Sequence, residues 1–127
     1  MPTLGPIRQI ALTVTDLPRA VAFYRDVLEL PLLFEVPNLA FFDCHGIRLM
    51  LGPAEGPDGA THSSVLYFTV DDITAAHRML AGRGVPFDQD PHLIARMPDH
   101  ELWMAFFRDP DRNLLAVLEE RRDGNRG

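Results

Sequence analysis

The chain has 127 residues, with 18 Asp and Glu against 12 Lys and Arg and a net charge of −6, which is the length of one compact domain and the wrong sign for a nucleic-acid footprint. Hydrophobic residues at 46% and charged residues at 24% exclude disorder as a description of the whole, and Cys44, standing alone, excludes a disulfide framework. No N-terminal run reads as a signal peptide or a membrane span, so the expected setting is reducing and cytoplasmic, with a small molecule rather than nucleic acid or membrane as partner.

From the N-terminus, Gln9 to Tyr24 reads QIALTVTDLPRAVAFY. Ile10, Leu12 and Val14 alternate as on a strand, and Leu17, Ala20, Val21, Tyr24 and Leu28 then follow helical spacing. Asp16 stands at the change of period, where a carboxylate accepts from free N–H groups of the first helical turn, and Pro18 is tolerated there because its missing donor would be unpaired. Ala40, Phe41 and Phe42 lead through Asp43-Cys44-His45-Gly46 into Ile47 to Leu51, two apolar runs around turn residues, the pattern of a β-hairpin. The stretch GPAEGPDGAT over 52–61 reads as a connector.

The same order then repeats. Val65 to Leu80 reads VLYFTVDDITAAHRML, and Thr13, Val14, Asp16 and Ala20 recur 56 positions on as Thr69, Val70, Asp72 and Ala76. Gly82 and Gly84 end the second helix and Pro86 follows. PHLIARMPDHELW forms a hairpin or loop into an apolar strand, and Ala105 to Phe107 pass through Asp109-Pro110-Asp111-Arg112 into Asn113 to Leu118. The prediction is α+β: two tandem βαβββ modules over about 7–51 and 62–119, a bridge over 52–61 and a disordered tail over 120–127.

The segments ALTVTDLPRAVAFYRDVLELPLL and AFFRDPDRNLLAVLE resemble the vicinal oxygen chelate superfamily, which includes glyoxalase I, bleomycin-resistance proteins, fosfomycin-resistance enzymes and extradiol dioxygenases. The resemblance implies a curled mixed sheet forming an incomplete barrel around a cavity, and a homodimer. It also implies four positions at which the metal enzymes of the family place ligands, two in each module. Seven residues before each capping acid, these fall on Gln9 and Val65; on each module's last strand they fall on Met50 and Ala116. Val65 and Ala116 carry no donor atom, and a neutral amide with a thioether suits none of the usual divalent ions. No metal and no other cofactor is therefore expected.

Strand parity places Gln9, Ala11 and Thr13 on the cavity side, with Arg48, Met50, Val65, Tyr67 and Ala116. The site residues expected to touch a ligand are Gln9, Thr13, Arg48, Met50, Val65, Tyr67, His92, His100, Trp103 and Ala116. Arg48 suits a carboxylate or phosphate and Trp103 a planar group, while His92 and His100 border the expected cavity mouth as acid/base or hydrogen-bonding groups. His77 flanks the second helix, His45 adjoins Cys44 in a turn, and His62 follows the bridge; none of these comes with a catalytic motif. The leading functional expectation is metal-independent binding of a small organic molecule. The alternatives are a lyase, isomerase or dioxygenase with a displaced metal or a histidine acid/base, and a structural dimer whose cavity is filled by its own side chains.

Overall fold

The structure, a computed structural model, describes residues 6–53 and 64–122. Positions 54–61 of the expected bridge, His62, and positions 123–127 of the expected tail lie outside the described residues. The chain divides into two compact units, Met1–Ser63 and Ser64–Gly127, and each has the βαβββ order expected from the repeat.

In the first module, β1 (Gln9–Thr13) is followed by α1 (Leu17–Ala22) and then by β2 (Leu32–Val36), β3 (Leu39–Cys44) and β4 (Ile47–Gly52). The sheet order is β1-β4-β3-β2, with β1 parallel to β4 and the other pairs antiparallel. Asp16 caps α1 as predicted, its Oδ1 accepting from Arg19 N at 3.2 Å. The helix then widens into a π-helical turn, Phe23–Val27, in which the Leu28 N–H donates to the Phe23 carbonyl. Tyr24 in that turn is fully buried, with Phe23 edge-on and Phe42 beneath.

Turn chemistry fixes the register of the β3–β4 hairpin. His45 and Gly46 both have positive φ between paired Cys44 and Ile47, the geometry of a type I′ turn, and Asp43 Oδ1 accepts from Gly46 N. Gly52, the last residue of β4, lies where a Cβ would stand 2.5 Å from a Leu39 methyl carbon and 3.2 Å from the Asn38 carbonyl oxygen, so the backbones approach as closely as only glycine allows.

The second module repeats the plan with β5 (Leu66–Thr69), α2 (Ile73–Gly82), β6 (His92–Arg96), β7 (Glu101–Arg108) and β8 (Leu114–Arg121), in the order β5-β8-β7-β6. Asp72 caps α2 through Ala75 N. Strand β8 continues to Arg121, pairing Glu120 with Leu102 and Arg121 with Glu101, so two residues expected in the tail belong to the sheet. The reason is that a ladder needs backbone partners rather than apolar side chains, and β7 is long enough to supply them.

In both modules the alternation separates two faces. Leu12, Phe42, Leu49 and Leu51 are buried in the first, and Ala105, Phe107, Leu115 and Val117 in the second, together with helix residues such as Ala20, Ile73 and Leu80. Each fully buried Phe or Leu contributes about 2–3 kcal/mol by removing apolar surface from water. The opposite face of each sheet is left free of this packing role.

Candidate functional site

The open face of the first module carries Gln9, Ala11 and Thr13 from β1 and Arg48 and Met50 from β4. Parallel pairing sets Gln9 beside Arg48 and Ala11 beside Met50. Arg48 Nε donates to Gln9 Oε1 at 2.7 Å, and Gln9 Nε2 points its hydrogen at the Met50 sulfur at 3.9 Å. Three of the predicted residues are thus joined into one short chain of contacts, with a guanidinium beside two of the positions where the resemblance implies metal ligands. Phe41, paired with Met50, lies 6.0 Å from the Arg48 guanidinium carbon, and Phe34 stacks on Phe41 with centroids 4.5 Å apart and planes at 22°. The Phe34–Phe41 pair was missed in the sequence because a β-bulge between Leu32 and Phe34 shifts the parity of β2.

The second module's open face is aromatic. Tyr67 and Phe106 both pair with Ala116, one from each side, and their rings meet edge to face at 6.1 Å. Ala116 beneath them is fully buried, so it does not present the ligand-contacting surface expected of it. A visitor to this face meets Tyr67, which is 47% exposed, and Phe106. Val65, half-buried, and Thr69, exposed, stand at either end of β5.

His92, cross-strand from Met104, lines a hollow of ≈ 350 Å³ with Asp88, Gln89, Phe106 and Leu114. Its Nδ1 lies 3.2 Å from the Asp90 carbonyl oxygen. A carbonyl only accepts, so in the neutral ring that contact places the proton on Nδ1 and leaves Nε2 with its lone pair. His100 instead sits in the β6–β7 turn, its Nδ1 donating to Asp99 at 2.7 Å, and is not among the residues lining this hollow. Asp99 also receives Arg122 Nη1, and these two partners, His100 first, hold its carboxyl below the usual range.

Trp103 departs from its expected face. It alternates with buried Ala105 and Phe107 on the helix side of the sheet, where Arg121 lies over its ring at 4.5 Å and Arg121 Nε donates to Glu119. The run from Leu102 to Phe107 is apolar at every position, so its sequence has no alternation from which to read a face. Glu119, also missed, is buried at 3% exposure and accepts from Ile73 N at the start of α2 at 2.9 Å. Cys44 forms no reactive dyad with His45: burial and then the Asp43 charge push its thiol pKa up, away from the nucleophilic thiolate.

The donor set at the implied metal positions does not fit a divalent ion. Gln9 and Met50 contact each other beside a fixed positive charge, while Val65 and Ala116 have no donor atom. Among the described residues, no three His, Cys, Asp or Glu side chains gather as a metal-binding group, and no helix is long and apolar enough to cross a membrane.

The sequence and the fold are similar to those of known proteins. An uncharacterized protein of Bacillus subtilis (strain 168), YraH, is 31% identical over 128 residues, covering 87% of this chain and 95% of its own. A lactoylglutathione lyase from Agrobacterium tumefaciens superposes with a TM-score of 0.73 at 27% identity, over 98% of this chain and 97% of that one. TnmS3, an antibiotic binding protein from Streptomyces sp. CB03234, superposes with a TM-score of 0.74 at 22% identity, over 94% and 99%. With the family model matching residues 7–117, the chain belongs to the Glyoxalase/Bleomycin resistance protein/Dioxygenase superfamily.

Proposed function

We propose that the chain binds a small organic molecule without the help of a metal, on the largely apolar open faces of its sheets. The observation that carries this reading is the Gln9–Arg48–Met50 chain of contacts, which has neutral groups at two positions where a metal site would want acids or imidazoles, and a guanidinium beside them. Around it, the half-buried Phe41 and the exposed Phe34 supply apolar surface next to a few polar groups, the composition of a small-molecule site, and the second module has the exposed Tyr67 on its own open face. The antibiotic-binding relative of the same fold is consistent with sequestration as the task. We further propose a homodimer and a cytoplasmic location, the latter from the lone cysteine.

Two measurements test the reading. Protein grown with added Mn, Fe, Ni and Zn is expected to carry far less than one metal ion per chain; a tightly held stoichiometric ion whose removal abolishes an activity would overturn metal independence. A thermal-shift screen of small organic molecules is expected to give a saturable rise of several degrees, because ligand at about 100 times its Kd stabilises by about 2.7 kcal/mol.

One observation favours a second reading. In the neutral ring, the Nδ1 contact of His92 leaves Nε2 with its lone pair on a residue lining the second module's hollow, which suits a proton-transfer enzyme such as a lyase. Turnover of lactoylglutathione that disappears in His92→Gln would replace binding by catalysis.

A further inference from the structure

We propose that the open face of the first module is a carboxylate site, in which the Arg48 guanidinium receives both oxygens of a planar aromatic acid whose ring lies against Phe41 and Phe34. The inference rests on the binding reading above and adds the chemical class of the ligand.

The guanidinium is fixed without being neutralised. Its Nε donates to the Gln9 amide oxygen at 2.7 Å, which orients the planar fork while leaving the positive charge intact. Gln9 is held in turn by its own contact with the Met50 sulfur. The terminal nitrogens make no hydrogen bond or ion pair with any described residue. Two parallel N–H groups of this kind match the two oxygens of a carboxylate.

The neighbouring carboxylate does not remove that charge. Asp43 pairs with Arg48 across the β3–β4 ladder, but its Oδ1 accepts from the Gly46 N–H at 3.1 Å, which ties it to the hairpin turn. The ring of Phe41, 6.0 Å from the guanidinium carbon, and Phe34 stacked upon it, 48% exposed, form an aromatic floor beside the cation. An acid seated on Arg48 therefore has its flat substituent within reach of rings that favour offset stacking. A neutral ester of the same shape has the floor and lacks the partner for the fork.

The probes are acetate, benzoate, 1-naphthoate and methyl 1-naphthoate, titrated into the full-length chain by calorimetry and by methyl-group NMR at Met50. Naphthoate is expected to bind at least about tenfold more tightly than its ester, since a charge-assisted pair is the stronger kind of hydrogen bond, and more tightly than acetate. Arg48→Met should bring the acid down to the level of the ester. Gln9→Glu, which keeps the side-chain length and sets a carboxylate on Arg48, should weaken the acids and spare the ester. Unchanged spectra of first-module amides away from the substituted strands, those of the Leu17–Ala22 helix and of β2, would show that both variants fold.

Equal binding of acid and ester, or acid binding unaffected by Arg48→Met, would overturn the carboxylate assignment while leaving the protein a binder. Acetate as tight as naphthoate would remove the aromatic floor and with it the proposed ligand class. No binding by any acid probe overturns this inference whether or not other molecules score in the thermal-shift screen. The binding reading falls separately, if that screen gives no saturable hit at all.

Discussion

Replacing Glu119 by Ala is the sharpest test of the second module's architecture. The carboxylate is 3% exposed and joins the end of β8 to the first turn of α2 through Ile73 N at 2.9 Å, a contact spanning 46 positions. Ile73 is fully buried, so water cannot replace the lost acceptor; leaving that donor unpaired costs about 1–3 kcal/mol. Arg121 loses its partner at 3.2 and 3.4 Å, but its side chain is 24% exposed and still lies over Trp103, which limits this part to about 0–1 kcal/mol. Together the change costs about 1–4 kcal/mol, or a fall in Tm on the order of 10 °C for a chain of this size. Glu119→Gln keeps an oxygen for Ile73 and should cost about 1 kcal/mol. Urea melts of both variants beside the exposed Glu120→Ala give the readout. If Glu119→Ala is no more costly than Glu120→Ala, the helix start does not depend on this acid and the packing argument fails.

Two further outcomes follow from local geometry. Arg112 has φ of 69° in the Asp109–Arg112 turn, where a side chain is strained, and its two hydrogen bonds in that turn use only backbone atoms. Arg112→Gly should therefore stabilise by about 0.5–1 kcal/mol, seen as a rise in the urea midpoint; a fall would mean that the side chain holds the turn. Asp99 is held below its usual pKa by His100 and then Arg122. The stability it lends the β6–β7 hairpin is thus present above the ordinary carboxylate value of 3.8 and lost as pH falls through the lower folded value. Asp99→Asn should remove that part of the acid sensitivity, and identical pH dependence in the variant would contradict it.

The parts of the molecule legible in the sequence are those determined locally. Asp16 and Asp72 were identifiable because a change of period and a capping acid occupy neighbouring positions, and both make the expected hydrogen bond three residues on. The faces of β1 and β4 were legible because polar residues interrupt their apolar alternation at Gln9, Thr13 and Arg48. Where both faces of a strand are apolar, as from Leu102 to Phe107, the signal vanishes, and Trp103 came out on the wrong side. Glu119 was out of reach for another reason: its partner is an anonymous backbone N–H far away in the chain. The bulges at Leu33 and Ile94 invert parity within edge strands by backbone geometry alone.

The repeat also separates what folding requires from what it leaves free. Corresponding residues on the helix side stay alike: Phe42 and Phe107 are both buried, Leu49 answers to Leu115, Ala40 to Ala105 and Leu51 to Val117. On the open side the same strands diverge. Gln9 stands against Val65, Ala11 against Tyr67, Arg48 against Leu114 and Met50 against Ala116. Two copies of one plan need the same core because each sheet packs its own helix, and a change there costs several kcal/mol. Nothing in that packing asks one open face to be cationic and the other aromatic. The difference between them therefore has to be explained by what they touch, and the guanidinium of Arg48, oriented by Gln9 yet unneutralised, is the feature for which the fold itself supplies no reason.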